Sequence, residues 1–241
     1  MKIAFLSDIH GNADALEAVI RDIEAKQVDK IVVLGDICYR GPEPKRALEL
    51  VKSLNAEVVK GNADEWVVRG VEKDEVPDKV LEMMNKERDW TVSQLEKEDV
   101  AFLKNLPLEL TVKLTEEINI HAFHATPNSL FEVVLPNEQD NVVEQKMMAA
   151  KDASIYIYGH IHRAFVRYIN GKCLINMGSV GLPFDGLPKA SYAIVEVYEG
   201  SVRTSIERVE YDLEKVIEKY KRVNYPNTET MSNVVRYARL P

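Results

Sequence analysis

A chain of 241 residues, 46% hydrophobic and 29% charged, has the balance of a globular protein and is long enough to bury a large core, so disorder is not expected. Its net charge of −8 argues against a broad basic face for gripping nucleic acid, and no stretch approaches the ~20 apolar residues of a membrane span. The apolar start after Lys2 is broken at Asp8 and His10, too early for a secretory signal. Cys38 and Cys173 lack metal-knuckle spacing and read as reduced thiols in or near the core, which points to the cytoplasm.

Residues 2–7 predict a first strand. Residues 12–26 carry Ala15, Leu16, Val19, Ile20 and Ile23 at helical spacing, with Asn12 or Asp14 as the cap. A second strand at 30–34 leads to Asp36. Pro42 or Pro44 opens a second helix with Ala47, Leu48, Val51 and Leu54 on its inner face. A third strand at 57–60 ends at Gly61-Asn62, and this β-α-β-α-β order predicts a parallel sheet. From about 64 to 106 the chain turns rich in Glu, Lys and Asp and holds both tryptophans. Several short helices are expected there, either as a cap near the strand edge or as a packing element away from it.

Strands dominate afterwards. Segments 108–114 and 118–123 flank a turn, 164–169 and 172–176 flank Asn170-Gly171, and 191–198 and 201–209 flank Glu199-Gly200. Helices are expected at 139–150 and 211–222. The extension at 223–241 docks either on the body or on a partner chain, which allows a homodimer. The whole reads as one domain over residues 1–241 of the α/β class. Its architecture is a four-layer αββα sandwich of two mixed β-sheets flanked by helices, with a small helical cap insertion.

Four apolar runs end in polar, ligand-rich stretches: Asp8-Ile9-His10, Gly35-Asp36, Gly61-Asn62 and Gly159-His160-Ile161-His162. The carboxyl edge of parallel strands is where ligands bind. In an extended chain the side chains of Asp8 and His10, or of His160 and His162, project to the same side. A single strand-end Asp is more often a helix cap, and a single His more often a hydrogen-bonded core residue. The joint pattern outweighs those readings, because three of only five histidines fall at these ends and His124 follows another strand. Carboxylates mixed with imidazoles suit Mn, Fe, Zn or related metals rather than Ca.

These stretches, taken with Gly11-Asn12 and His124, resemble the signature of the calcineurin-like metallophosphoesterase superfamily, in family order. The segment Asn176-Met177-Gly178-Ser179-Val180-Gly181-Leu182-Pro183 is similar to the small bacterial and archaeal branch of phosphodiesterases and diadenosine-tetraphosphate hydrolases. The resemblance implies two divalent metal ions, Mn foremost with Fe, Zn, Ni or Co as alternatives. Asp8, His10, Asp36 and His162 would hold one, and Asp36, Asn62, His124 and His160 the other. Asp36, Asn62 and His124 would carry catalysis, a metal-bridging hydroxide attacking phosphorus. Asn12 matches a position that steadies the first loop on the substrate-binding side. The implied substrate is a small phosphorylated molecule, a nucleotide foremost, with no membrane or broad nucleic-acid partner.

One departure bears on mechanism. Many relatives carry a His after the Gly-Asn pair, and here Ala63 stands in that place. The general-acid help that such a group supplies, typically ~10²–10⁴-fold, must come from water or from His121. An extended chain would point His121 away from His124. Arg40, four residues after Asp36, resembles a phosphate-binding Arg of protein serine/threonine phosphatases and symmetric dinucleoside tetraphosphatases; it could equally be a solvated loop residue. Tyr39, Phe184 and Asp185 could line a base pocket or simply pack. The alternatives to a phosphodiesterase or nucleotide-polyphosphate hydrolase are a protein phosphatase-like enzyme and a non-catalytic scaffold for protein partners.

Overall fold

The computed structural model describes residues 1–239. Strand β1 (Lys2–Leu6) shows how the layers arise from side-chain alternation. Ile3 and Phe5 point one way, into a core shared with Val32, Leu34, Ile155, Ile157 and Ile175. Ala4 and Leu6 point the other way, onto Leu16, Val19, Leu48 and Val51 of two helices. A strand apolar on both faces must be covered on both, and a period of two sends its residues to two separate cores.

The first sheet takes in β1, β2 (Lys30–Val33), β3 (Glu57–Val58), β9 (Ala190–Tyr198) and β10 (Ser201–Val209) in the order β10-β9-β1-β2-β3. Its β1, β2 and β3 run parallel, while β9 joins antiparallel with Phe5 opposite Ala193. Helices α1 (Ala13–Ala25) and α2 (Pro44–Ser53) cover its outer face. The second sheet orders β4 (Glu109–Lys113), β5 (Asn119–Phe123), β6 (Ile155–Tyr158), β8 (Lys172–Asn176) and β7 (Phe165–Ile169) as β4-β5-β6-β8-β7. Its core strands β5, β6 and β8 are parallel and its edges antiparallel. Both sheets are mixed, and the expected αββα sandwich is the observed one. The hairpin turn at Asn170-Gly171 takes φ 48° and 79°, the double left-handed pair that suits the twist of two strands.

Helix α6 (Asp140–Val143) falls within the expected 139–150 helix but widens into a π-helical turn over Glu144–Met148. The wider turn lets Val143, Met147 and Met148 share one face against Tyr156 and Tyr158 of β6, which regular α spacing would not. The acidic segment after β3 forms α3 (Asn62–Arg69), α4 (Asp78–Ser93) and α5 (Lys97–Lys104). It begins two residues earlier than expected, at Asn62 itself, because the Asp64 carboxylate accepts the Gly61 N–H at 2.9 Å and caps the helix there.

The C-terminal extension packs on the body. Helices α7 (Leu213–Arg222) and α8 (Thr228–Tyr237) bury Val216, Tyr220, Met231, Val234 and Val235 against Leu182, with Trp90 of α4 at the margin. Tyr225 meets Trp90 edge-on at 4.8 Å. The last two residues of the extension lie outside the described ones. Cys38 and Cys173 are free and buried, and among the described residues no helix is long and apolar enough to cross a membrane.

Met231 is 1% exposed in the cluster that seats α8. Met231→Ala is expected to cost about 2–5 kcal/mol by urea unfolding with an unchanged slope. A loss below about 0.5 kcal/mol would mean that α8 is not seated on the body.

Candidate metal centre

The loops at the carboxyl ends of β1 and β2 are laced together before any side chain is considered. Asp8 N–H donates to Gly35 O, His10 N–H to Asp36 O and Gly11 N–H to Ile37 O, at 2.8–3.1 Å. Gly159 N–H donates to His124 O, which ties β6 to β5 in the same way. Asp8, His10, Asp36, His160 and His162 all have positive φ, between 49° and 67°. The extended geometry expected for the paired ligands is therefore not what brings them together. Each turns its side chain inward through a left-handed residue, a conformation that costs a non-glycine ~1–3 kcal/mol and persists only where its surroundings over-determine it.

Backbone carbonyls then aim the imidazoles. His10 Nδ1 lies 2.8 Å from Tyr39 O, His124 Nδ1 2.6 Å from Leu34 O and His162 Nδ1 2.5 Å from Leu182 O. A carbonyl can only accept, so each Nδ1 carries a proton and each ring is turned with Nε2 toward the cavity. His10 Nε2 and His162 Nε2 face each other at 3.2 Å. Asp8 Oδ1 stands 3.1 Å from His162 Nε2, and Asp36 Oδ2 stands 3.6 Å from His10 Nε2. Asp8, His10, Asp36 and His162 thus offer ligand atoms all within 4.8 Å of one another.

A second group adjoins the first. Asn62 Oδ1 is 2.9 Å from His124 Nε2 and 2.8 Å from His160 Nδ1, while Asp36 Oδ2 is 3.5 Å from His124 Nε2. Asp36 stands between the groups, its Oδ1 held by the Ala63 N–H at 2.8 Å and its Oδ2 shared. Asp8 Oδ1 and His160 Nε2 are buried without a hydrogen-bond partner. Acceptors converge here with too few donors to join them, and buried acceptors left so are costly. Divalent cations are what such a donor set of carboxylate, amide oxygen and imidazole fits.

The electrostatics agree. Burial pushes Asp36 up to about 7, with the Asp8 charge adding to it against the pull of His10. Burial also opposes ionisation of Asp8, but His162 and His10 outweigh it and hold that carboxyl well below its ordinary value. Burial and the neighbouring His124 push His160 down to about 3, leaving its imidazole neutral and free to ligate. His162 is raised, its own burial outweighed by Asp8.

Other expected residues fall as follows. Asn12 caps α1, accepting the Ala15 N–H at 3.1 Å, and donates to Gly181 O at 3.0 Å. Both its polar ends hold backbone, which suits a loop brace. Arg40 lines the cleft with His10, Asp36, Asn62, His160 and His162. His121 is turned away and buried, its Nε2 2.6 Å from Glu109. Tyr39 spends its hydroxyl on Met84 O at 2.9 Å, while Phe184 stacks on His162 at 4.2 Å. Asp185 is ion-paired with Arg208. Met84 and Trp66 of the helical insertion wall the cleft, so the insertion stands over the strand edge and is no remote packing element.

Two acids escaped the sequence reading. Asp64 accepts the N–H groups of Asp36, Ile37 and Gly61 at 2.8–3.0 Å and so clamps the turn that carries Asp36. Its place as the third residue of an acid-capped helix was the available signal. Glu87, fully buried on α4, lies 3.3 Å from Arg40 Nε and 3.1 Å from Asn227 Nδ2. Nothing local in the sequence marks it. At Gly61 an added Cβ would meet Asp36 Oδ1 at 2.1 Å, so only glycine lets β3 approach that carboxylate.

Asp64→Asn keeps the shape of the clamp but removes its charge and one of its acceptors. It is expected to weaken Mn(II) binding about 10–100-fold, as loss of an outer support does, measured by calorimetry. An unchanged affinity would detach Asp64 from the centre.

Residues 1–200 match the calcineurin-like phosphoesterase superfamily domain. The chain is 35% identical over 245 residues to an uncharacterized protein of Methanocaldococcus jannaschii, covering 93% of each. It is 32% identical over 91 residues to the symmetrical bis(5'-nucleosyl)-tetraphosphatase of Psychromonas ingrahamii, a match spanning 35% of this chain and 33% of that one. The crystal structure of a metallophosphoesterase from Sphaerobacter thermophilus superposes with a TM-score of 0.79 at 28% identity, covering 99% of both chains. By sequence over most of its length, and by the two stacked sheets whose strand ends carry the acceptor cluster, the chain belongs to the calcineurin-like phosphoesterase superfamily.

Proposed function

We propose that this protein is a binuclear metal-dependent phosphoesterase acting on phosphodiesters or nucleotide polyphosphates. The observation that carries the reading is Asp36 Oδ2, shared between two groups of inward-facing acceptors with too few donors to join them. Asp8, His10, Asp36 and His162 would hold one cation and Asp36, Asn62, His124 and His160 the other. Two bound divalent ions supply neutralisation of the phosphate charge and a water of lowered pKa. Mn suits the mixed oxygen and imidazole donors, with Fe, Zn, Ni or Co as alternatives. Two free buried thiols suit a reducing cytoplasm.

The chain's own residues set the rest. The backbone carbonyls at Tyr39, Leu34 and Leu182 keep the imidazoles in one tautomer and orientation. Arg40, steadied by Glu87 and by the Tyr220 hydroxyl on its carbonyl at 2.6 Å, offers a guanidinium to a phosphate in the cleft. Ala63 contributes only its N–H, and its methyl is buried. Among the described residues His121, the alternative donor, is turned away onto Glu109, which leaves water to protonate the leaving group. The cleft measures about 130 Å³ between Trp66, Met84 and Phe184, which favours a small substrate over the surface of a phosphoprotein. The partial likeness to the Psychromonas tetraphosphatase supports a nucleotide polyphosphate.

The purified protein is expected to contain metal by elemental analysis and to hydrolyse a nitrophenyl phosphodiester or a dinucleoside tetraphosphate when loaded with Mn. Its kcat/KM should fall steeply across esters of rising leaving-group pKa, because no general acid assists. A metal-free protein inert toward every ester would overturn the reading, and a flat leaving-group dependence would restore an acid to the site. Protons compete with a cation for Asp36, which burial raises to about 7. Below that pH a cation must displace a proton, so Mn(II) affinity should fall about tenfold per pH unit on going from 7 to 5 and level off above 8. Calorimetry across that range reads this out, and affinity constant from pH 5 to 8 would contradict it.

A further inference from the structure

The inner cleft by itself holds only part of the substrate class just proposed. Binding sites for drug-sized molecules run to ~300–1,000 Å³, whereas the space bounded by the ligands, Tyr39, Arg40 and Phe184 is about 130 Å³. That is room for the phosphate being cleaved and little more. A second, open cavity of about 530 Å³ lies on the other side of Phe184, bordered by Arg163, Asp185, Gly186 and Arg239. Phe184 is common to both. Its ring stacks on the His162 imidazole at 4.2 Å and its N–H donates to His162 O at 3.0 Å. The loop that carries His162 therefore carries the next residue, Arg163, out to the wall of the outer cavity.

The charges of that wall are unusual for a chain of net charge −8. Its one acid, Asp185, is already paired with Arg208. Arg163 is exposed, and among the described residues neither it nor Arg239 has a carboxylate partner. These two residues come from segments far apart in sequence and border one groove next to the Phe184 wall of the acceptor cluster. A lone surface arginine would be unremarkable, but a converging pair raises the local positive potential where an anion would lie, and the guanidinium fork matches phosphate oxygens.

We infer that Arg163 and Arg239 form a second anion subsite that takes the phosphates beyond the scissile one, so that the protein prefers polyphosphate chains over single phosphates. This rests on the phosphoesterase reading for the identity of the inner site, but it concerns binding and can fail independently. The preference arises because each further phosphate that passes Phe184 gains a charge-assisted contact that an isolated phosphate cannot reach.

The test compares inorganic tripolyphosphate with orthophosphate by calorimetry, using full-length protein with Mn(II) in excess over the anion so that chelation does not strip the centre. The wild type is expected to bind tripolyphosphate at least about tenfold tighter than orthophosphate. That ratio should fall about tenfold in Arg163→Ala and further in the Arg163→Ala/Arg239→Ala double variant, the scale of a charge-assisted hydrogen bond. Arg163→Lys should keep part of it. Both residues are exposed, so thermal melting should confirm that the variants remain folded. A wild type without the preference, or a double variant that retains it, overturns the subsite. A wild type that keeps the preference, loses it in the variants and yet hydrolyses no ester would sink the hydrolase reading and leave the subsite standing.

Discussion

The crowding of acceptors around Asp36 is the constraint on which the structure of this protein turns. One carboxylate oxygen is spent on the Ala63 N–H and the other is shared between His10 and His124. Burial raises Asp36 to about 7, because its negative charge is poorly tolerated among so many buried acceptors. Such a cluster would be a liability in a protein built only for stability, because buried like groups repel and unpaired ones lose solvation. A donor set of this kind is what divalent cations fit.

The surrounding fold supplies what that arrangement needs. Left-handed residues at Asp8, His10, Asp36, His160 and His162 are strained, and the backbone bonds between neighbouring loops hold them there. Asp64 binds three N–H groups around the Asp36 turn, and it too is raised to about 7 by burial and by the Asp36 charge. Strain, desolvation and charge are thus concentrated at one edge of the two sheets. The inter-sheet core of Ile3, Phe5, Val32, Ile155 and Ile157 provides the rigid base that such an edge requires.

A second tier reaches the site from elements distant in sequence. Glu87 on α4 faces Arg40, Tyr39 and Asn227 at once, and Tyr220 of α7 holds the Arg40 carbonyl. The insertion walls the cleft and the C-terminal helices back it, coupled through one buried carboxylate. Removing either would leave Glu87 or Arg40 without its counter-charge or its hydrogen bonds.

The alternation of apolar runs with helical spacings was enough to place the strands, both main helices and the αββα layering, because burial on one or two faces writes its period directly into the residues. The polar stretches at the strand ends likewise pointed to one edge of the sheets, where Asp8, His10, Asp36 and His162 lie together. The sequence did not disclose how they converge. The left-handed turns depend on loop-to-loop hydrogen bonds, the π-helical turn at Glu144–Met148 on the fit of Val143, Met147 and Met148 to β6, and the place of Glu87 on partners far along the chain. Local propensity carries no trace of a contact made across the fold, so those features belong to the tertiary structure alone.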